Sequence, residues 1–269
     1  MGKIIAVANQ KGGVGKSTTV VNLAAYLGSR DKKVLCIDSD AQGNATTSFG
    51  IKKRGVEIST YSIIVGKARI QDAIISTEFK NVSVIPATED LAGVEIELIN
   101  MENRVNRLKM QLLAIKDDYD YILIDCPPAL GSLTINALVA SDSIIVPMLA
   151  EFFALEGLSQ LVNTIKIVKN NYNPALDIEG ILFTMFDGRL NVANDVVAEV
   201  EKYFPNKVFQ TKIPRNVRIS EAPSHGKPVM YYDKTSKGTD AYTLLGLELL
   251  GEPTVLPQKK RRGIFTFKK

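Results

Sequence analysis

The chain has 269 residues, of which 45% are hydrophobic and 23% charged, a composition typical of a soluble globular protein. Its formal net charge is +4, but six basic residues and no acid lie in the last eleven positions, so residues 1–258 carry −2. This distribution excludes a globally basic body, and any nucleic-acid binding must come from a local patch or from the tail.

Membrane insertion and a disulfide framework are not expected. The first apolar run begins at Ile4 and is broken by Asn9, so we find no transmembrane span and no cleavable signal. The two cysteines, Cys36 and Cys126, fall inside or at the end of predicted buried strands, which does not indicate disulfide pairing. We therefore expect a cytoplasmic protein.

A glycine-rich turn lies between the first two predicted elements. The β-branched run 3–8 predicts a strand and the amphipathic run 17–27 predicts a helix. Glycines in the turn let consecutive backbone N–H groups converge on an anion at the start of that helix. Lys16 can reach the terminal phosphates of a nucleotide, and the Ser17 hydroxyl is placed to ligate Mg²⁺.

The run 33–40 predicts a second buried strand that delivers two carboxylates, Asp38 and Asp40, at its C-terminal end, where ligands bind in open parallel sheets. Asp40 is placed to orient an attacking water near Mg²⁺, and the alternative for it is a helix cap or turn residue. For Asp38 the functional and structural interpretations both stay open. Ala41 stands inside the turn that follows.

The middle of the chain carries no recognisable chemistry. Short helical patterns occur at 61–65 and 70–75, and residues 82–87 predict a strand. Apolar residues at helical spacing predict one long packing helix over 91–115.

A further strand, 120–125, ends in Asp125, followed by Cys126 and two prolines. An apolar strand ending in Asp is typical of a Walker B element, whose carboxylate holds Mg²⁺ through water. For Cys126 we favour a buried inert thiol over a metal ligand, because no second cysteine lies in a matching segment.

The remaining patterns alternate between strand and helix, with strands at 143–147 and 178–187 and helices at 155–168, 191–204 and 242–250. They predict an α/β fold, a doubly wound and mostly parallel sheet with helices on both faces. We expect one domain over 1–251 and a basic, flexible tail over 252–269.

Two absences narrow the chemistry. A GTPase of this architecture would carry Asn-Lys-x-Asp, but Asn206-Lys207-Val208-Phe209 lacks the final Asp, so ATP is favoured. His225 is the only histidine and no Ser/His/Asp set is available, which leaves phosphoryl transfer to water.

The motifs at 9–18, 38–44, 120–128 and 212–228 resemble those of the ParA/MinD class of deviant Walker-type ATPases, with Soj-type ParA proteins the most similar. Gln10 replaces the first glycine of the strict phosphate loop, and an extra lysine, Lys11, follows it. Ala41 departs from the proline usual in the first switch of this class. The resemblance covers roughly residues 1–250.

The resemblance implies roles for particular residues. Lys11 would contact the phosphates bound by the opposite subunit, Pro214 and Asn216 would lie against adenine, and Arg189 and Arg218 would bind DNA without sequence preference. The expected nucleotide-binding residues are Lys11, Gly12, Gly13, Val14, Gly15, Lys16, Ser17, Thr18, Pro214 and Asn216. The expected catalytic residues are Lys11, Lys16, Asp40 and Asp125, and the expected metal ligands are Ser17, Asp40 and Asp125.

The function implied is that of an ATP- and Mg²⁺-dependent homodimer that binds nucleoid DNA and partitions a chromosome or plasmid, with a ParB-like partner stimulating hydrolysis. One alternative is a MinD-like ATPase that contacts the membrane through its C-terminal tail. Another is a nucleotide switch that acts on a replication initiator.

Overall fold

The computed structural model describes residues 2–256, and a seven-stranded sheet forms their centre. The strands are β1 (Lys3–Val7), β2 (Val34–Asp38), β3 (Ile75–Ser76), β4 (Val82–Ile85), β5 (Tyr121–Asp125), β6 (Ser143–Leu149) and β7 (Asp177–Thr184). Their order across the sheet is β3-β4-β2-β5-β1-β6-β7, and all neighbours are parallel except the short edge pair β3 and β4.

Helices cover both faces of this sheet. They are α1 (Lys16–Ser29), α2 (Asn44–Ser48), α3 (Thr60–Val65), α4 (Val94–Ile99), α5 (Arg107–Leu112), α6 (Ser132–Ala140), α7 (Ala154–Asn171), α8 (Asn191–Tyr203), α9 (Val217–Glu221), α10 (Val229–Tyr232) and α11 (Lys237–Leu249). Short 3₁₀ turns occupy Ile70–Ala73, Glu89–Gly93, Lys116–Asp118 and Ala222–His225. The predicted doubly wound α/β fold is confirmed.

Two apolar cores result from the alternation of side chains along the strands. In β1, Ile4 and Ala6 belong to the core beneath α4 to α8, whereas Ile5 and Val7 belong to the core beneath α1 and α11. Continuous apolar strands buried on both faces are what a parallel sheet between two helical layers requires.

The prediction of one long helix over 91–115 is wrong. Residues 94–112 form two short helices, α4 and α5, joined by a turn in which Asn103 has φ 54°. Buried Asn136 of α6 stabilises the break, because its amide donates to the Arg104 carbonyl (2.8 Å) and accepts from the Leu108 N–H (3.2 Å). A partner distant in sequence satisfies the backbone groups that a continuous helix would have paired internally.

The last helix begins five residues before its predicted start, at Lys237 rather than Tyr242. The Ser236 hydroxyl caps it by accepting from the Thr239 N–H at 3.1 Å. Glu252, the first residue of the predicted tail, pairs with Arg30 at 2.9 Å. The rest of the tail from residue 257 lies outside the described residues.

The register of the parallel strands brings the ends of three strands together at one edge of the sheet. Val7 and Asp38 are both paired with Asp125, so the ends of β1, β2 and β5 lie side by side at the carboxyl edge of the sheet. At this edge the segments following the strands converge, as ligand sites in open α/β sheets do.

Candidate nucleotide and magnesium site

The loop after β1 is fixed at its beginning by Asn9. This buried side chain donates to the Pro147 carbonyl on β6 (2.8 Å) and accepts from the Lys11 N–H (3.0 Å). Asn9 therefore ties the loop to the neighbouring strand before the glycines begin.

The glycines set the shape of the loop. Gly13 and Gly15 have φ of 73° and 86°, in the left-handed region that glycine adopts without strain. Gly15 is the N-cap of α1, no side chain caps this helix, and no acid lies in its first turn. The N–H groups and positive dipole end of a 14-residue helix are thus available to an anion.

Lys16 lies inside this loop and is 7% exposed. Its ammonium group donates to the Lys11 carbonyl at 3.2 Å. Burial lowers the pKa of Lys16, while the nearby carboxyl groups of Asp125 and Asp40 oppose that decrease. A buried cation beside a helix N-terminus is well placed to neutralise phosphate charge.

The surroundings of the Asp125 carboxyl group suit a bound cation. Its carboxyl group is fully buried, and within residues 2–256 neither oxygen has a hydrogen bond of acceptable geometry. Burial raises the pKa of Asp125 well above its usual range, and Asp38 raises it further. The Ser17 hydroxyl and the Lys16 ammonium group only partly oppose this rise in pKa.

This donor set fits Mg²⁺. The cation prefers oxygen ligands, and it is commonly bound by one or two carboxylates together with water and phosphate oxygens. Asp125, Ser17 and Asp40 supply such oxygens, and residues 2–256 contain no cluster of three acidic, histidine or cysteine side chains that would form an all-protein cage. Ser17 and Asp125 are therefore the best candidates to hold the ion near the loop.

Asp38 and Asp40 have different surroundings. The buried Asp38 carboxylate accepts from the Thr46 N–H (2.8 Å), the Thr46 hydroxyl (2.7 Å) and the Asp40 N–H (3.1 Å). Burial raises the pKa of Asp38 to about 6. These bonds use the carboxylate to anchor α2, which favours the structural role for Asp38.

Asp40 combines both of its predicted roles. Its Oδ1 accepts from the Gln42 N–H at 3.0 Å, and its carbonyl accepts from the Gly43 N–H at 2.8 Å, so it forms a turn. No donor among residues 2–256 bonds its Oδ2 atom. The residue also lines the cavity beside the loop, so one carboxylate oxygen holds the turn and the other can face a ligand.

The cavity has a volume of about 590 Å³ and brings together much of the predicted site. It is lined by Gly12, Gly13, Gly15, Lys16, Ser17, Thr18, Asp40, Gln42, Asn44, Thr47, Ser48, Lys53, Pro128, Met185 and Pro223. Lys11 and Val14 instead line an adjoining cavity of about 420 Å³ near Phe153. The glycine-rich loop after β1 therefore contributes residues to both cavities.

Four lining residues, Thr47, Ser48, Lys53 and Met185, lie outside the motifs identified in the sequence. Met185 follows β7 directly and has φ 49°, a left-handed conformation unusual for its type. Its position after a strand at the carboxyl edge is the signal that could have identified it. Pro223 comes from the turn after α9.

The segment around Pro223 also packs against the loop after α2. A Cβ added at Gly226 would lie 2.7 Å from the Gly50 Cα atom, so the two backbones touch directly. The cavity and the lysine- and arginine-rich stretch 202–237 are in this way connected through the main chain.

Lys11 is paired within its own chain. Its ammonium group lies 2.8 Å from Glu151 Oε2, and both side chains are substantially exposed, at 41% and 57%. A surface ion pair of this kind is worth about 0–1 kcal/mol, so a nearby phosphate can compete for the lysine.

Pro214 and Asn216 are not among the residues that line the cavity. The Asn216 Oδ1 atom caps α9 by accepting from the N–H groups of Arg218 (2.9 Å) and Ile219 (3.4 Å). Pro214 bridges to Phe186 beyond the end of β7. Their contact with adenine stays a prediction.

Arg189 and Arg218 are exposed but neutralised. Arg189 forms a bidentate ion pair with Asp187 and lowers the pKa of that carboxyl to about 2. Arg218 pairs with Glu221 at 2.8 Å and with Asp233 at 3.4 Å. DNA phosphates would have to compete with these acids.

The remaining sequence expectations concern sulfur and the membrane. Cys126 is fully buried, and burial raises the pKa of its thiol, as expected for an inert side chain. Within residues 2–256, no helix has both the length and the apolar character needed to cross a bilayer.

Comparison with known proteins places the chain in a family. The AAA domain family matches residues 2–178. The chain is 56% identical over 249 residues to the sporulation initiation inhibitor protein Soj of Bacillus subtilis, covering 93% of this chain and 98% of that protein. It is 50% identical over 264 residues to the chromosome partitioning protein ParA of Myxococcus xanthus, covering 98% and 93%. The chain belongs to the Soj/ParA family.

A solved structure supports the family's fold. Cobyrinic acid a,c-diamide synthase of Mycobacterium smegmatis, with bound ATP analogue and magnesium, superposes with a TM-score of 0.84. It is 34% identical to this ParA-family chain and the match covers 93% and 94% of the two chains. The resemblance stated from the sequence motifs is confirmed.

Proposed function

We propose that this chain is a partitioning ATPase that hydrolyses ATP to ADP and phosphate with Mg²⁺. As an ATP-dependent homodimer it binds DNA without sequence preference, and a ParB-like protein stimulates its hydrolysis. It acts in the cytoplasm on the nucleoid and moves a chromosome or plasmid. Its membership of the Soj/ParA family supports this proposal.

One observation carries the ATPase part of the proposal. Neither oxygen of the buried Asp125 carboxylate has a hydrogen bond of acceptable geometry among the described residues, and the Ser17 hydroxyl and the Lys16 ammonium group at the start of α1 only partly offset the cost of its burial. An unpaired buried carboxylate is costly, so proteins keep one where a ligand compensates it. A Mg²⁺–nucleotide complex would supply that compensation.

Each residue at the loop has a separate task in the proposed reaction. The N–H groups of residues 12–17 hold the phosphates of ATP, and Lys16 neutralises charge on the phosphoryl group that is transferred to water, with ADP as the leaving group. Ser17 and Asp125 would hold Mg²⁺, which when bound would supply Lewis-acid stabilisation of that charge. Asp40 orients the attacking water with the carboxylate oxygen that its own turn does not use.

Dimerisation follows from Lys11 in this proposal. Each protomer gives its Lys11 to the nucleotide of the other, and the lysine leaves Glu151 to do so. The loss of this weak, exposed ion pair is small compared with a charge-assisted contact to phosphate.

Sedimentation tests the shared site. We expect Lys11→Ala to retain nucleotide binding and to lose ATP-induced dimers, while Lys52→Ala, which changes an exposed lysine in the loop after α2, dimerises as the unmodified chain does. Dimers of Lys11→Ala that persist at the same protein concentration would contradict the shared site.

DNA binding is assigned to Arg189 and Arg218 within the basic segment (residues 202–237 together with Arg189). Residues 202–237 carry eight Lys or Arg and two acids in a body that is otherwise slightly acidic. Contacts of this kind read phosphates and are independent of sequence.

The alternatives depend on features outside this site. The membrane-associated function would use residues 258–269, which lie outside the described range. A switch acting on a replication initiator would need no turnover, and phosphate release measured with DNA and a ParB-like partner present separates it from a partitioning ATPase.

A further inference from the structure

Lys53 has no task in the mechanism above, although it reaches the nucleotide cavity. It lies in the loop between α2 and α3, is half-buried, and lines the same 590 Å³ cavity as Asp40. Its ammonium group donates to the Gln42 main-chain carbonyl at 2.8 Å. The side chain therefore connects its own loop to the turn that carries Asp40.

That turn determines where the Asp40 carboxylate points. The Gln42 N–H bonds Asp40 Oδ1 at 3.0 Å, and the Gly43 N–H bonds the Asp40 carbonyl at 2.8 Å. A rotation of the backbone at Gln42 would move the donor that holds Oδ1. Lys53 bonds this same residue and so restrains that rotation.

Gly43 makes room for the lysine. Its φ is 61°, and an added Cβ would lie 2.6 Å from the Lys53 Cδ atom. The apolar stem of Lys53 therefore crosses the turn in direct contact with its backbone, while the charged end bonds the carbonyl. Lys53 thus contacts the same turn twice, through its hydrogen bond to Gln42 and through the packing of its stem on Gly43.

Residue 41 leaves the backbone of the turn less constrained than a proline would. Ala41 lacks the fixed φ that proline would provide at that position, so the unrestrained turn has more conformations available. A charge-assisted bond from outside the turn reduces that freedom.

We propose that Lys53 is a positioning residue for ATP hydrolysis, which holds the Asp40 turn so that the free Asp40 oxygen faces the attacking water. The inference rests on the proposed function, in which Asp40 orients that water. In this proposal Lys53 acts through the turn and not by binding the nucleotide.

Steady-state ATPase kinetics test the proposal. Lys53→Met keeps much of the apolar stem but removes the donor, Lys53→Arg restores a donor, and Lys52→Ala is the matched exposed control. We expect kcat to fall about tenfold in Lys53→Met with KM within about twofold, and Lys53→Arg to recover most of the loss. Thermal unfolding should shift by less than about 2 °C.

A double variant separates the turn from direct contact. Adding Ala41→Pro to Lys53→Met stiffens the turn by another route, and we expect it to recover at least part of kcat. An unchanged kcat in Lys53→Met, a raised KM with unchanged kcat, or a double variant no faster than Lys53→Met would each overturn the proposal.

Hydrogen exchange provides a readout that needs no turnover. The amides of Gln42 and Gly43 should exchange faster in Lys53→Met than in Lys52→Ala. Equal exchange rates would overturn the inference even if the unmodified chain hydrolyses ATP. Faster exchange in a chain that never hydrolyses ATP would leave the restraint in place and overturn the proposed function instead.

Discussion

The carboxyl edge of the sheet and the basic segment differ in how their charged side chains are buried and paired. At the edge, Asp125 is buried without a hydrogen-bond partner among the described residues, whereas Arg189 and Arg218 are exposed and already paired with acids. A buried unpaired charge is expensive and little screened by salt, while an exposed pair is worth little and is screened strongly. Ligands at the two regions should therefore differ in affinity and in salt dependence.

The largest effect is expected at the edge. Asp125→Asn and Lys16→Ala should each lower ATP turnover at least about a hundredfold, because Lys16 would supply positive charge to the transferred phosphoryl group and Asp125 would help hold the Mg²⁺ that does the same. Phosphate release measures this, with Asp117→Asn as an exposed acidic control. A rate in Asp125→Asn above half that of the unmodified chain would remove the contrast between the two regions.

The same burial predicts how stability depends on pH without nucleotide and Mg²⁺. Burial raises the pKa of Asp38 from 3.8 to about 6, and it raises the pKa of Asp125 as well. The folded state then keeps protons that the unfolded state has released, so the free energy of unfolding should fall as pH rises from about 4 to above 6. For Asp38 alone the expected decrease is on the order of 2–3 kcal/mol.

Urea unfolding at several pH values measures this decrease. Asp125→Asn should make the dependence shallower, since one of the two groups no longer titrates. Asp187 gives the opposite sign, because Arg189 lowers its pKa to about 2 and its contribution is lost as pH falls. A steeper decrease in Asp125→Asn than in the unmodified chain would contradict the assignment.

A smaller effect distinguishes Asp38 from its neighbours at the edge. Thr46→Val removes one donor to Asp38 and the acceptor of the Ala87 N–H, and should cost about 1–3 kcal/mol of unfolding free energy. Thr164→Val, whose hydroxyl bonds the Gln160 carbonyl on an exposed helix face, is the matched control. Equal costs in the two variants would mean that burial does not strengthen the Asp38 contacts.

The smallest effects are expected in the basic segment. Arg189→Ala and Arg218→Ala should weaken DNA binding a few-fold at low salt and reduce the salt slope by about one each, with ATP binding retained. Asp187→Asn should strengthen binding, because it frees Arg189. The control is Arg69→Ala, which removes another exposed arginine, one paired with Asp72. Loss of ATP binding together with DNA binding would indicate that these arginines are structural.

Local chemistry made the glycine loop and the strand ends predictable. These features depend only on residues close in sequence. They are the glycine conformations at 13 and 15, the lysine and serine at the start of a helix, and the acids that follow apolar strands. Their convergence follows from parallel strand register. The family resemblance added the roles of Lys11 and of both arginines, which residue patterns alone do not give.

Contacts distant in sequence were not predictable. The break between α4 and α5 depends on Asn136, and the ion pair of Lys11 depends on Glu151, 140 residues away. Lys53 looked like any other solvated lysine, since only the folded chain brings it over Gly43. In each case one side chain satisfies a group whose position the local pattern does not encode.

The contact between Gly50 and Gly226 has a mechanical consequence. Side chains between two packed segments can change rotamer and absorb small movements, but here main chain rests on main chain at both residues. The helix that follows the Asp40 turn and the stretch that carries Arg218 must therefore shift together or come apart. A movement at the nucleotide cavity would in this way be passed directly to the segment that carries Arg218.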